Sequence, residues 1–216
     1  MRQPTFRTNV VTYAAIGGTR APNLMTYPPN GFRPFESRTR LGAGQARFET
    51  ATRALMTWGV QRGSGILVTE LTEGTGENYT GIAFAPDGSP QGMRRDQPIS
   101  GGEHDERGVD CIRSGMSAVL VGKYGPFHFR APVRVVYVTD DENRKGFAYG
   151  TLPGHPLSGE EAFSVERYQD DSVWITIRAF YRTVNSAYRA LPFGPRIVQR
   201  VLTNRYSRAL LPARLS

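Results

Sequence analysis

The chain has 216 residues, 39% of them hydrophobic and 21% charged, with one cysteine and a formal net charge of +8. That length buries a substantial core as a single domain. No apolar run approaches the ~20 residues a membrane helix needs, and a lone Cys111 excludes an internal disulfide.

The opening residues, Met1 to Phe6, lack the apolar core of a secretory signal, so a reducing, cytoplasmic setting is expected. Nearly all the positive charge is arginine, since Lys123 and Lys145 are the only lysines. A basic balance raises nucleic acid or anionic lipid as partners. The arginines are scattered from Arg2 to Arg214 without a nucleic-acid motif, which argues against nucleic acid.

In chain order, Thr12–Ile16 reads as a short strand stopped by Gly17-Gly18. Tyr27-Pro28-Pro29-Asn30-Gly31 is a turn, because proline fixes φ and Asn-Gly tolerates positive φ. Phe32–Leu41 alternates as a strand. Leu41-Gly42-Ala43-Gly44 breaks it and opens a helix whose Phe48, Ala51, Leu55 and Trp58 share one face. The two glycines are better read as a tight turn than as a phosphate cradle, since no Lys-Ser/Thr follows. Gly65–Leu71 is a β run.

Residues 86–115 form a polar, glycine-rich insertion within one domain spanning 1–216. Its Glu103-His104-Asp105-Glu106 cluster holds metal-ligand types, but consecutive residues rarely converge on one ion, so no metal is expected. Ser117–Tyr124, Phe127–Phe129, Val133–Thr139, Gly146–Leu152, Ala162–Tyr168 and Val173–Tyr181 then follow as strands joined by short turns at 140–143 and 169–172. This is a meander rather than a βαβ fold. A C-terminal helix carries an apolar stripe of Ile197, Val201, Tyr206 and Leu210.

The predicted architecture is α+β: a curved antiparallel sheet wrapped around the C-terminal helix, with an additional N-terminal amphipathic helix. It resembles the helix-grip folds of START-like and Bet v 1-like proteins. Such a fold leaves room for a small apolar molecule between sheet and helix.

A closer resemblance rests on three stretches. They are Arg134-Val135-Val136-Tyr137-Val138, then Gly146-Phe147-Ala148-Tyr149-Gly150-Thr151-Leu152-Pro153-Gly154-His155-Pro156, then Ser158-Gly159-Glu160-Glu161-Ala162-Phe163. Together they resemble the signature of uncharacterised protein family 0548, a bacterial and plant family. Gly17-Gly18-Thr19, Leu41–Gly44 and the helix ending at Trp58 fit it too. The chain departs at Phe180-Tyr181-Arg182, where the family usually has a serine before the arginine. The resemblance carries no biochemical role.

The central stretch still suggests chemistry. Phe147, Tyr149 and Thr151 are spaced to share one strand face. His155 follows in a turn constrained by Pro153 and Pro156, and histidine moves protons near neutral pH. Glu161, or its neighbour Glu160, is placed to orient it or act as base. Ser158-Gly159-Glu160-Glu161 also matches a capping box, a purely structural reading.

Two functions are therefore carried forward. One is cofactor-free acid/base chemistry (cyclisation, isomerisation or hydrolysis) on a small apolar molecule, with His155, Glu161 and Tyr149 as catalytic residues. The other is a non-catalytic carrier or sensor, for which Phe147, Thr151, Tyr137, Trp174 and Glu160 join Tyr149 as ligand contacts. No cofactor is expected for either. Basic-surface binding to nucleic acid or anionic lipid is a third reading.

Overall fold

The computed structural model describes residues 9–73, 83–84, 90–91, 111–124, 127–184, 206 and 209–211. After a 3-10 turn at Gly18–Arg20, the elements run β1 (Arg33–Ala43), α1 (Gln45–Met56), α2 (Gly59–Gly63) and β2 (Leu67–Thr72). They continue with β3 (Ala83–Phe84), β4 (Pro90–Gln91), β5 (Ser117–Tyr124), β6 (Phe127–Asp141), β7 (Arg144–Thr151), β8 (Leu157–Arg167) and β9 (Ser172–Thr183).

Seven of these strands form one sheet in the order β1-β9-β8-β7-β6-β5-β2, with antiparallel neighbours throughout, and β3 pairs β4 separately. The first two long strands thus occupy the two outer edges, with both helices connecting them. This is the helix-grip arrangement expected from the element order. Register shifts between Arg40 and Gly42, Thr69 and Thr72, and Val135 and Tyr137 bend the sheet.

Strand alternation divides the side chains between two apolar layers. Phe147, Phe163 and Ile177 lie in register across β7, β8 and β9. They are packed in one cluster with Phe48, Ala51 and Leu55 of α1, with Trp58 and Val60, and with Tyr206 and Leu210. Each fully buried large side chain contributes roughly 2 kcal/mol. The C-terminal residues close this layer: the Tyr206 ring meets Phe163 edge-on at 5.5 Å, and a Cβ on Gly63 would stand 2.9 Å from that of Ala209. The remainder of the expected C-terminal helix lies outside the described residues.

The opposite face is covered in part by the N-terminal segment. Val11, Tyr13 and Leu24 pack on Val136, Ala148, Leu152 and Phe180. Tyr13 and Phe32 both meet the Phe180 ring edge-on at 5.4 Å.

Four expectations are corrected. Thr12–Ile16 is not a strand; its backbone reaches the sheet where Thr12 N–H donates to the Thr151 carbonyl at 3.0 Å and the Thr12 carbonyl accepts from Ser158 Oγ at 3.0 Å, and Tyr13 serves as a side-chain anchor. Phe127–Phe129 and Val133–Thr139 are one strand, β6. Pro132 does not break it because pairing with β7 starts only at Val133 opposite Thr151. Ser158–Glu161 is not a capping box but the start of β8, held between β7 and β9. The strand before the first helix runs on through a bulge at Gly42 to Ala43, and the tight turn falls on Gly44, at φ 94. The Glu103–Glu106 cluster and most of 86–115 lie outside the described residues.

Candidate functional site

The two carboxylates that adjoin in sequence are separated by the sheet. On the helix-covered side, Tyr149 of β7 stands opposite Glu161 of β8, and its hydroxyl donates to Glu161 Oε2 at 2.6 Å. Aromatic rings surround this pair. Tyr149 lies 6.2 Å from Trp58 with planes 22° apart, 6.2 Å from Phe147 and 5.7 Å from Phe163. Burial pushes the Tyr149 phenol well above its usual range. The Glu161 charge, Tyr206 and the hydrogen bond to Glu161 add to that, while Gln61 opposes it. Tyr206 is raised too, by burial and then by Glu161, with Tyr149 acting the other way. Tyr149, Glu161 and Tyr206 therefore form one interacting polar group inside an aromatic core.

The helices add two more polar side chains. α1 ends as Thr57 and Trp58 N–H donate to the Ala54 and Leu55 carbonyls. Trp58 then takes a left-handed conformation, φ 63 and ψ 21, which is uncommon for a bulky residue and costs of order 1–3 kcal/mol. Gly59 follows because any Cβ there would collide with the Ala54 carbonyl oxygen. This sharp corner starts α2, and both Trp58 at the corner and Gln61 within α2 are buried. Trp58 is 1% exposed and Gln61 0%.

Among the described residues, Trp58 Nε1 and both amide atoms of Gln61 have no hydrogen-bond partner. Gln61 lies close to the Tyr149 hydroxyl, close enough for a long hydrogen bond that lowers the phenol's pKa, though neither amide atom makes a bond of normal length. Buried polar groups are almost always bonded, and each one left open costs about 1–3 kcal/mol.

The other anticipated residues lie elsewhere. Glu160 is 3% exposed and faces the N-terminal segment. Its Oε2 accepts from Tyr13 Oη at 2.6 Å and Gly17 N at 2.8 Å, and its Oε1 from Thr19 N at 3.0 Å and Thr19 Oγ1 at 2.5 Å. Burial pushes its carboxyl up, against the pull of these donors. Tyr137 is on the same side, 2.7 Å from Thr19 Oγ1 and 3.9 Å beneath the Arg20 guanidinium. Burial, the first cause, and Glu160 raise its phenol to about 12.

Thr151 Oγ1 lies 2.6 Å from Thr12 Oγ1 and accepts from Gly159 N at 3.0 Å. Trp174 donates its indole N–H to Ser172 at 2.9 Å and lies 5.0 Å below the Arg38 guanidinium. His155 sits in the 152–156 turn, half-buried. Its Nδ1 lies 2.9 Å from both the Leu157 N–H and the Leu157 carbonyl oxygen, and burial lowers its pKa to about 4, against the bond to that carbonyl. The structure thus brings together Phe147, Tyr149 and Glu161, and places Glu160, Tyr137 and Trp174 away from them.

Many of the arginines are engaged within the fold. Arg134 bonds Ser117 and the Asn9 carbonyl. Arg178 bonds the Thr19 and Ala21 carbonyls and pairs with Glu36 at 3.0 Å. Arg47 donates to the Leu41 and Leu210 carbonyls. Among the described residues there is no group of three or more His, Cys, Asp or Glu poised for a metal, and no helix long and apolar enough to cross a membrane.

A family model described as a domain of unknown function, DUF1990, matches residues 12–84 and 103–209. The chain belongs to this family. Between the two matched stretches of this DUF1990 chain lie residues 85–102. A UPF0548 protein of Deinococcus radiodurans is 38% identical over 99 residues, 42% of this chain and 47% of that relative. A UPF0548 protein of Arabidopsis thaliana is 46% identical over 57 residues, 23% of this chain and 27% of that relative. The matched stretches thus span about half and about a quarter of those relatives. A crystal structure of a hypothetical protein from Helicobacter pylori shares the fold at TM-score 0.50 and 11% identity, covering 97% of this chain and 98% of that one.

Proposed function

We propose that the protein binds a small, largely apolar molecule bearing a hydrogen-bonding group, held between the β7–β8 strands and α2. The observation that carries this reading is the buried trio of open polar atoms, Trp58 Nε1 and the two Gln61 amide atoms, beside the Tyr149–Glu161 pair. Evolution rarely leaves such atoms unbonded in a core. A ligand polar group in their midst satisfies them, and the surrounding rings supply its apolar contacts.

Binding is favoured over acid/base catalysis by the state of the candidate groups. General acids and bases work best with a pKa near the operating pH. His155 is held down to about 4 and its Nδ1 is already engaged by the Leu157 backbone. Tyr149 is driven the other way, well above 10. Neither is poised for proton transfer at neutral pH.

The test is a fluorescence titration of the full chain with N-phenyl-1-naphthylamine, a neutral apolar probe. The expected result is saturation at one probe per chain, with release on unfolding. Fluorescence that never saturates, or survives unfolding, overturns the reading.

A further inference from the structure

The turn that leads into β1 carries a reactive peptide. Pro29, Asn30, Gly31 and Phe32 close a tight turn in which Phe32 N–H donates to the Pro29 carbonyl at 2.9 Å. Gly31 takes φ 79, the value that the third position of a type II turn requires. The Asn30–Gly31 peptide is therefore the central one of the turn. Its Gly31 N–H makes no hydrogen bond among the described residues. Both residues are exposed, and a Cβ on Gly31 would meet nothing within 4 Å.

The main-chain nitrogen after an asparagine can attack its side-chain amide when that nitrogen is free to give up its proton and no side chain hinders it. Here Gly31 N would bond to Asn30 Cγ and the Cγ–Nδ2 bond would break. Nδ2 leaves as ammonia, carrying the proton that Gly31 N gives up. Water, the one co-reactant, then opens the resulting five-membered imide at either carbonyl, to aspartate or isoaspartate. Nothing is oxidised or reduced, and a neutral amide becomes a carboxylate.

The fold withholds this route from the other described asparagines. Leu24 N–H, which would have to attack Asn23, donates to the Ala21 carbonyl at 3.2 Å. Asn143 Oδ1 accepts from Arg167 Nε and Nη2 at 3.2 and 3.0 Å. Asn9 precedes the β-branched Val10, and its carbonyl is held by Arg134 at 2.8 Å.

We infer that Asn30 is a site of spontaneous deamidation in the folded protein, left open by the turn that starts β1. Isoaspartate there puts an extra main-chain carbon inside the turn. It does so just before the Phe32 ring, which meets Phe180 edge-on at 5.4 Å and lies 4.7 Å from the Arg182 guanidinium. The reaction needs no ligand and stands apart from the binding reading.

The experiment is peptide mapping by mass spectrometry of the full chain, held for days at mildly alkaline pH, folded and in parallel in guanidinium chloride. Residue 30 should gain one mass unit, and isoaspartyl methyltransferase should label its peptide. The folded rate should lie within fivefold of the unfolded one, while Asn23 and Asn143 of the folded chain stay unmodified. Asn30→Gln, whose longer side chain would need a less favourable six-membered ring, should lose the label. A folded rate more than fivefold below the unfolded one overturns the inference, because the turn then protects its asparagine. Modification of Asn23 or Asn143 ahead of Asn30 overturns it as well.

Discussion

Glu160 and Glu161 are adjacent in β8 and act on opposite faces of the sheet. Glu161 takes the Tyr149 proton donor on the helix-covered side, while Glu160 takes four donors from Tyr13, Gly17 and Thr19 on the other. One carboxylate belongs to the candidate site. The other fastens the N-terminal segment over Val136, Ala148 and Phe180.

Glu160→Ala is therefore expected to release that segment. It removes the acceptor of the Gly17 and Thr19 backbone N–H groups, a loss of about 3 kcal/mol. Urea denaturation should show the loss, and limited proteolysis should cut first between residues 9 and 24. Unchanged stability and an unchanged cleavage pattern would show that the carboxylate holds nothing.

His155 gives a pH dependence of definite sign. Its pKa is about 4 in the folded protein against 6.5 for the free side chain. Between those values the unfolded chain binds a proton that the folded chain does not, so stability falls as pH is lowered through that window. The contribution is at most about 3 kcal/mol. In His155→Asn, whose side-chain oxygen can still accept from Leu157 N, the curve of stability against pH between 6.5 and 4 should be flatter. Parallel curves for the two proteins would contradict the neutral, half-buried imidazole.

The corner between the helices makes a third prediction. Gly59→Ala forces a methyl group into the Ala54 carbonyl. It should cost on the order of 2–3 kcal/mol. It should also weaken N-phenyl-1-naphthylamine binding, because Trp58 and Gln61 both depend on that turn. Calorimetry and the probe titration read the two effects. Normal stability with normal binding would show that the corner has room to spare.

Much of the fold was legible in the chain. Ser117–Tyr124 appears as β5 with the expected bounds, because its β-branched and aromatic residues end at turn-forming ones. The turns at 140–143 and 169–172 join β6 to β7 and β8 to β9 as their Asp, Asn and Ser residues indicate. The misreadings have physical causes. Ser158-Gly159-Glu160-Glu161 satisfies the capping-box pattern, but pairing to strands on both sides outweighs a local side-chain bond. Taking it as strand at once sends Glu160 and Glu161 to opposite faces.

The site was legible only in part. The pairing of Tyr149 with Glu161 follows once β7 and β8 are in register. Trp58 was recognisable as an inward residue of the first helix, though not as the left-handed corner it forms. Gln61 carries no signal of burial at all: in sequence a glutamine after Gly-Val reads as solvent-facing. Only the turn at Gly59, a consequence of packing against Ala54, brings it inside.

The central claim is that a small apolar molecule binds at Trp58 and Gln61, and the protein's two tryptophans make it directly testable. Trp58 Nε1 is open in the core, whereas Trp174 Nε1 is bonded to Ser172 on the far side of the sheet. In a proton–nitrogen correlation spectrum of the labelled full chain, each gives one indole signal, assignable by Trp174→Phe. Titration with N-phenyl-1-naphthylamine should shift the Trp58 signal saturably and leave that of Trp174 in place. A saturable shift confined to Trp174, with Trp58 unmoved, would contradict the account.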